Sequence, residues 1–306
     1  MLPRRTLAAL VLLTLFWGIN WPIMKVSLRE MSPLWFRAVS MTGGVFLLFA
    51  WYRLRGASLA LPRAQVGRVL LVGVPNVLGW HALSIFGVQA LASGRAAILG
   101  FTMPIWTALL GVAFFGQPMA ARQWIATACA AAAVALLLHH EMETLAGHPA
   151  GTLWMLGAAA AWALGTLLLG RVSVALSTEA MTIWMIGLCL PPLWLLALAL
   201  EPMPSWHLSP EVWFGLIYGS VVNYGIAQII WFTIARRLPP LASALSVMLI
   251  PVIGLGSAMW ISGEQPYPQD YGAAALIVAA LAFGLLGKRP AKGGGPTPSA
   301  RDRHQS

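Results

Sequence analysis

Residues 103–118 read MPIWTALLGVAFFGQP, and residues 250–265 read IPVIGLGSAMWISGEQ. Laid side by side at an offset of 147, Pro104 falls on Pro251, Gly116 on Gly263 and Gln117 on Glu264. The same offset pairs Asn76 with Asn223 and His81 with Gln228, while Trp17 matches Trp162 at 145. One offset serving a proline, a glycine and several amides is the mark of an internal repeat, not of two apolar stretches that happen to look alike.

The composition around this repeat is that of a membrane protein. Of 306 residues, 59% are hydrophobic and only 9% charged, against about 25% charged in soluble domains. Apolar segments of about 20 residues, enough to cross about 30 Å of hydrocarbon, recur along the whole length. Ten are expected, at about 6–26, 33–52, 68–90, 96–116, 123–140, 151–170, 179–200, 212–233, 240–261 and 271–287. The fold expected is all-α and polytopic: ten transmembrane helices as two five-helix repeats, 1–145 and 146–288, with a basic, Gly/Pro-rich disordered tail at 289–306. Five crossings per half is odd, so the second repeat inserts upside down. Inverted repeats with interrupted helices belong to carriers that alternate access around a midplane site.

The charge of +10 sorts by loop and not into a nucleic-acid patch. Arg4, Arg5, Arg53, Arg55, Arg63, Arg68, Arg122, Arg171, Arg236, Arg237, Lys288, Arg289, Lys292, Arg301 and Arg303 fall on one side, with Lys25, Arg29 and Arg95 on the other. The positive-inside rule then places both termini in the cytoplasm. The start, MLPRRTLAALVLLTLF, resembles a signal peptide but runs into FWGINWP without a small-x-small cleavage site, and reads as a retained first span. Cys129 and Cys189 fall within spans, so no disulfide is expected.

The order and spacing of FWGINWPIMK (16–25), SPLWFR (Ser32 to Arg37), ALASGRAAILGFTMPIWTALLGVAFFGQPMAARQW (90–124) and PPLASALSVMLIPVIGLGSAMWISGEQ (239–265) resemble the drug/metabolite transporter superfamily, in its ten-helix branch of paired EamA-type domains. Two departures stand out. Gln117 occupies the place of the usual first glutamate, and the seventh span has no arginine corresponding to Arg37. The resemblance implies an inner-membrane carrier that exports amino acids or other small metabolites. The tryptophan-rich spans are most similar to bacterial exporters of amino acids, the aromatic ones included.

Polar groups inside a membrane are costly unless they are buried in protein or face water, so they outline a path. Trp17, Asn20, Trp21 and Met24 share one face of the first span. The third adds Asn76, His81 and Ser84, the eighth Asn223, Tyr224, Gln228 and Trp231. Trp106, Trp162, Thr166 and Trp184 come from spans four, six and seven. The substrate wall expected is therefore Trp17, Asn20, Trp21, Asn76, His81, Trp106, Trp162, Thr166, Trp184, Asn223, Tyr224 and Gln228, with Pro104 and Pro251 as gating kinks. The amides equally suit interhelical fastening, and other tryptophans suit the interfacial belt. Arg37, a turn into span two, is left open between snorkelling outward, pairing with a helix end and meeting a carboxylate.

No Asp or Glu lies mid-span, so the hollow has no fixed negative charge with which to collect cations. It suits a zwitterion with an apolar side chain, moved down its gradient or coupled weakly to protons through His81. The partners expected are a small-molecule substrate and the bilayer, with no nucleic acid and a functional monomer. No cofactor is expected, and the loop HHEMETLAGH (139–148) has no defensible metal-ligand spacing. Carriage of nucleotide-sugars or drug-like cations is the alternative within the same class. An integral-membrane enzyme would need an acid/base cluster that is not there.

Overall fold

The computed structural model describes residues 4–143, 149–238, 247 and 249–285. The predicted tail, half of the 139–148 loop (144–148) and the start of the ninth predicted span lie outside them, and residues 139–143, expected as loop, are helical. Regular structure among the described residues is helical throughout. We number the helices α1 (Arg4–Ser27), α2 (Pro33–Leu54), α3 (Arg63–Ala90), α4 (Ser93–Phe115), α5 (Ala121–Glu143), α6 (Pro149–Leu169), α7 (Thr178–Leu200), α8 (Pro210–Ala235), α9 (Ile250–Ile261) and α10 (Pro268–Leu285). By length and composition α1, α2, α3, α4, α6, α7 and α8 can each cross a membrane. The apolar stretches of α5 (Ala121–Leu137) and α9 are shorter, so the expectation of ten crossings goes beyond what length and composition establish.

Three of these helices are interrupted, each for a local reason. In α3 the stretch Val74–Gly79 is π-helical. Pro75 has no N–H to give, and the ladder beyond it shifts so that Trp80 N–H donates to Pro75 O. In α8 the stretch Gly219–Ala227 is π-helical as well, with Ser220 Oγ donating to Leu216 O beside the start. Helix α4 breaks at Phe101–Thr102 and resumes at Met103. Pro104 and Pro251 sit at the second position of helical segments, Met103–Phe115 and Ile250–Ile261. A proline there forfeits only a donor that is spare anyway, so these residues begin segments instead of kinking them. The equivalent glycines end the same segments in left-handed conformation, Gly116 at φ 59° and Gly263 at φ 67°.

Packing follows an exchange of halves. α5 lies along α10, α4 on α9 and α2 on α7, each helix against its counterpart five places on. α3 packs on α6 and α7 as α8 packs on α1 and α2, while α1 lies on α9 as α6 lies on α4. Small residues allow the close approach that packing in lipid requires: Ala126, Ala130 and Ala133 of α5 and Ala273, Ala274 and Ala280 of α10 are all buried. The outer surface is apolar, with Leu54, Phe114 and Trp260 each more than three-quarters exposed. That is the inverse of a soluble protein and matches a surface facing hydrocarbon.

One end of the bundle is closed by charged side chains capping helix ends. The Glu201 carboxylate accepts from the N–H groups of Leu34 and Trp35 at the start of α2. Glu264 accepts from Ser93 N–H at 2.8 Å, Ser93 Oγ at 2.6 Å and Gly94 N–H at 3.1 Å, at the start of α4. Lys25 Nζ donates to Val88 O and Gln89 O, the negative end of α3. Glu30 accepts from Ser209 N–H, which holds its carboxyl below the usual carboxylate range. Arg95 pairs with Asp270 at 3.0 Å, both side chains buried. At the opposite end Arg171 donates to Phe115 O, the last carbonyl of α4, and Arg236 to Leu176 O in the loop before α7.

Candidate functional site: an aromatic cavity shared by the two halves

The interruptions in α3, α4 and α8 converge on one small cavity. Its wall is built by Trp17, Asn20, Trp21 and Met24 of α1, Arg37 of α2, Asn76, Trp80 and His81 of α3 and Phe101 of α4 from the first half. From the second half come Trp162 of α6 and Asn223, Gln228, Trp231 and Phe232 of α8. The space in which the centre of a water molecule can lie measures about 40 Å³, room for two or three waters. The site is therefore closed as it stands. A metabolite with a side chain enters only if the wall moves.

Aromatic contacts explain the closure. Trp162 stands at the hub, 5.6 Å from Trp17, 4.6 Å from Trp80, 5.1 Å from Trp231 and 5.6 Å from Phe101, ring centre to ring centre. Trp17 also meets Trp231 at 5.7 Å, and Trp21 meets Trp80 and Phe101 edge-on. Tilted and edge-to-face pairs at these distances are the favoured arrangements of aromatic rings. The break after Gly100 swings Phe101 into this cluster, and a side chain on Gly100 would press on Trp21 and Trp80.

A hydrogen-bonded chain forms the polar wall. Arg37 Nη1 donates to Tyr224 Oη at 2.9 Å and Nη2 to Ser84 Oγ at 3.2 Å. Tyr224 Oη lies 3.2 Å from His81 Nδ1. Because arginine only donates, the phenol oxygen is the acceptor, and its own buried proton finds its acceptor in His81 Nδ1. The imidazole then carries its proton on Nε2. Asn76 Nδ2 donates to Val72 O of its own helix, leaving Asn76 Oδ1 unpartnered. Arg37 Nε and Trp231 Nε1 are buried without partners as well.

Eight of the twelve expected wall residues line the cavity: Trp17, Asn20, Trp21, Asn76, His81, Trp162, Asn223 and Gln228. Tyr224 is fully buried one layer behind, holding Arg37 and His81. Thr166 is buried and bonded back to Trp162 O within α6. Trp106 is half-buried outside the lining. Trp184 donates to Leu59 O at 2.7 Å, anchoring the segment before α3. Trp80, Phe101 and Phe232 were not foreseen; the signal for Trp80 was its place beside His81 in an interrupted helix. Arg37, left open by the sequence, points inward and is 2% exposed.

With this geometry in hand, comparison with known proteins is informative. The EamA-like transporter family matches the chain twice, over residues 4–139 and 149–286. The "Uncharacterized transporter YoaV" of Bacillus subtilis (strain 168) is 20% identical over 252 residues, 82% of this chain and 86% of that protein. The "Uncharacterized inner membrane transporter YedA" of Escherichia coli (strain K12) is 26% identical over 145 residues, about half of each chain (47% and 46%). A solved crystal structure with 18% sequence identity superposes at a TM-score of 0.67 over 91% of this chain and 98% of that one, a likeness of fold. The chain belongs to the EamA-like transporter family, within the drug/metabolite transporters, and is a multi-pass membrane transporter built from two copies of that unit.

Proposed function

We propose that the protein exports amino acids with neutral or aromatic side chains, and related small metabolites, across a bacterial-type inner membrane by alternating access. The observation that carries this reading is the shared cavity. Its wall draws on both halves, and it combines indole faces with four amides, Asn20, Asn76, Asn223 and Gln228. Aromatic walls take the apolar side chain, while amides and helix ends take the polar backbone of the substrate. Both termini lie in the cytoplasm in this reading, the second repeat is inverted, and a monomer suffices because one chain builds the whole site.

Movement requires the tryptophan cluster to part first towards one face and then towards the other. The π-helical stretches of α3 and α8 suit this: a π-turn is a local mismatch in the ladder, found frequently at functional sites. Among the described residues no carboxylate lines the cavity, so a proton relay would have to run through His81 alone. The flux is accordingly facilitated, or coupled weakly.

The test is reconstitution in liposomes loaded with phenylalanine, leucine or a nucleotide-sugar, with and without a pH gradient. Release of phenylalanine and leucine, little altered by the gradient, supports the reading. Release of the nucleotide-sugar alone overturns the substrate class, and release only with proton movement overturns the coupling.

A further inference from the structure

Among the described residues the cavity wall carries one charged side chain, Arg37, and none supplies a counter-ion for it. The residue is 2% exposed, its two bonded nitrogens reach only neutral hydroxyls, Tyr224 Oη and Ser84 Oγ, and Nε has no partner. Among the described residues no carboxylate stands within ion-pair distance of it. Of the carboxylates at that end of the bundle, Glu201 and Glu264 are engaged on helix starts, Glu30 on Ser209 N–H and Asp270 on Arg95. Arg95 makes the contrast. It is as deeply buried, yet it offers Nε and Nη2 side by side to the two oxygens of Asp270, at 3.0 and 3.4 Å.

A buried cation without a counter-ion is strongly unfavourable in a membrane interior, and such groups mark functional sites. The anion that Arg95 finds in its own chain, Arg37 lacks. We infer that the anion is the substrate's: Arg37 is the carboxylate subsite, and the cargo is a monocarboxylate on an aromatic or branched apolar body. Tyr224 and Ser84 fix the guanidinium plane and leave Nε unpartnered, and Nε is one of the donors that guanidinium–carboxylate recognition uses. The second unpartnered donor on the wall, Trp231 Nε1, also calls for an acceptor. The acceptors on the wall are neutral amide oxygens: Asn76 Oδ1, buried without a partner, and those of the lining residues Asn20, Asn223 and Gln228. The wall thus asks for an acid first and a donor such as an ammonium second. A monoanion neutralises the cavity, a zwitterion leaves it at +1, and an amine raises it to +2. The carboxylate is indispensable and the amino group is not.

This inference rests on the transport reading above, and its test separates the two. Binding to the protein in lipid nanodiscs is followed by its tryptophan fluorescence, and flux by exchange of labelled phenylalanine in liposomes. The competitors are 3-phenylpropionate, phenylalanine, phenylalaninamide and phenethylamine. The expected result is that phenylpropionate competes at least as well as phenylalanine, while the amide and the amine are weaker by about tenfold or more. Arg37→Gln removes that discrimination and Arg37→Lys restores part of it. If Arg37→Gln fails to fold, the ligand series on the unaltered protein decides. Equal competition by phenylalanine and its amide, with phenylalanine flux intact, overturns the carboxylate subsite and leaves the transport reading standing. Absence of competition by every compound together with absence of phenylalanine flux overturns both.

Discussion

Asn76 and Asn223 stand 147 residues apart, and each lies inside a π-helical stretch, Val74–Gly79 in α3 and Gly219–Ala227 in α8. Both are buried and both face the cavity. Such stretches are rare, so their recurrence at equivalent points of the two halves ties the repeat to the site. Each is held by glycines of a neighbouring helix: Gly165 of α6 abuts Asn76, and Gly43 and Gly44 of α2 abut Ser220 and Tyr224.

Replacing Gly165 by alanine therefore strains α3. The added methyl would lie 2.7 Å from Asn76 N and collide with its amide. Gly165→Ala is expected to lose about 1–3 kcal/mol, the cost of overpacking a tight contact, read as a lower unfolding temperature in detergent. Gly256→Ala, where a methyl meets nothing within 4 Å, leaves stability unchanged or raises it slightly.

The two deep tryptophans of α6 and α7 separate function from anchoring. Trp162→Ala removes the hub of the aromatic cluster and is expected to cut phenylalanine exchange by about tenfold or more, with Trp162→Phe intermediate. Trp184→Phe loses only the bond to Leu59 O. It costs about 0.5–1.5 kcal/mol of stability and leaves exchange rates near normal.

At the capped end, Glu264 and Gln117 are sequence equivalents with different duties. Glu264→Ala strips three charge-assisted bonds from the start of α4 and is expected to cost about 1–3 kcal/mol. Gln117 is not seen capping a described helix start; its N–H closes the turn onto Gly111 O. Gln117→Glu is expected to leave the unfolding temperature unaltered. Equal effects at the two positions would contradict this assignment.

Arg95 and Asp270 form a buried pair whose halves depend on each other. Asp270→Ala leaves Arg95 charged beneath the surface and is expected to cost about 3–5 kcal/mol, whereas exchanging both for apolar residues of similar volume costs far less. Unfolding of the two single variants and the double variant gives the coupling directly.

Much of this was legible in the sequence. The 147-residue offset found the matching prolines, glycines and amides because they are the residues a helix in lipid tolerates least, so each had a reason to recur. The cavity face of α1 followed from plain helical spacing of Trp17, Asn20, Trp21 and Met24. In α8 the same logic fell short. Tyr224 was expected on the wall with Asn223 and Gln228, but it lies inside the π-stretch and stands behind the lining. Trp106 and Trp184 were expected on the wall and do not line this cavity, because a tryptophan's depth along a helix does not say which way it points. Arg37 could not be decided from spacing, since its direction depends on Tyr224, 187 residues away. Pro104 and Pro251 were expected as kinks. Each stands at the second position of a helical segment, Pro104 just after the break at Phe101–Thr102.

The central claim is that one closed cavity opens to each face of the membrane in turn. Single-cysteine labelling tests it most directly. Cys129 and Cys189 are replaced by alanine, Gln228→Cys is introduced, and a membrane-impermeant maleimide is applied to sealed vesicles of either orientation. The account predicts modification from both faces, slowed on both by phenylalanine. Modification from one face only, or modification indifferent to phenylalanine, would contradict it.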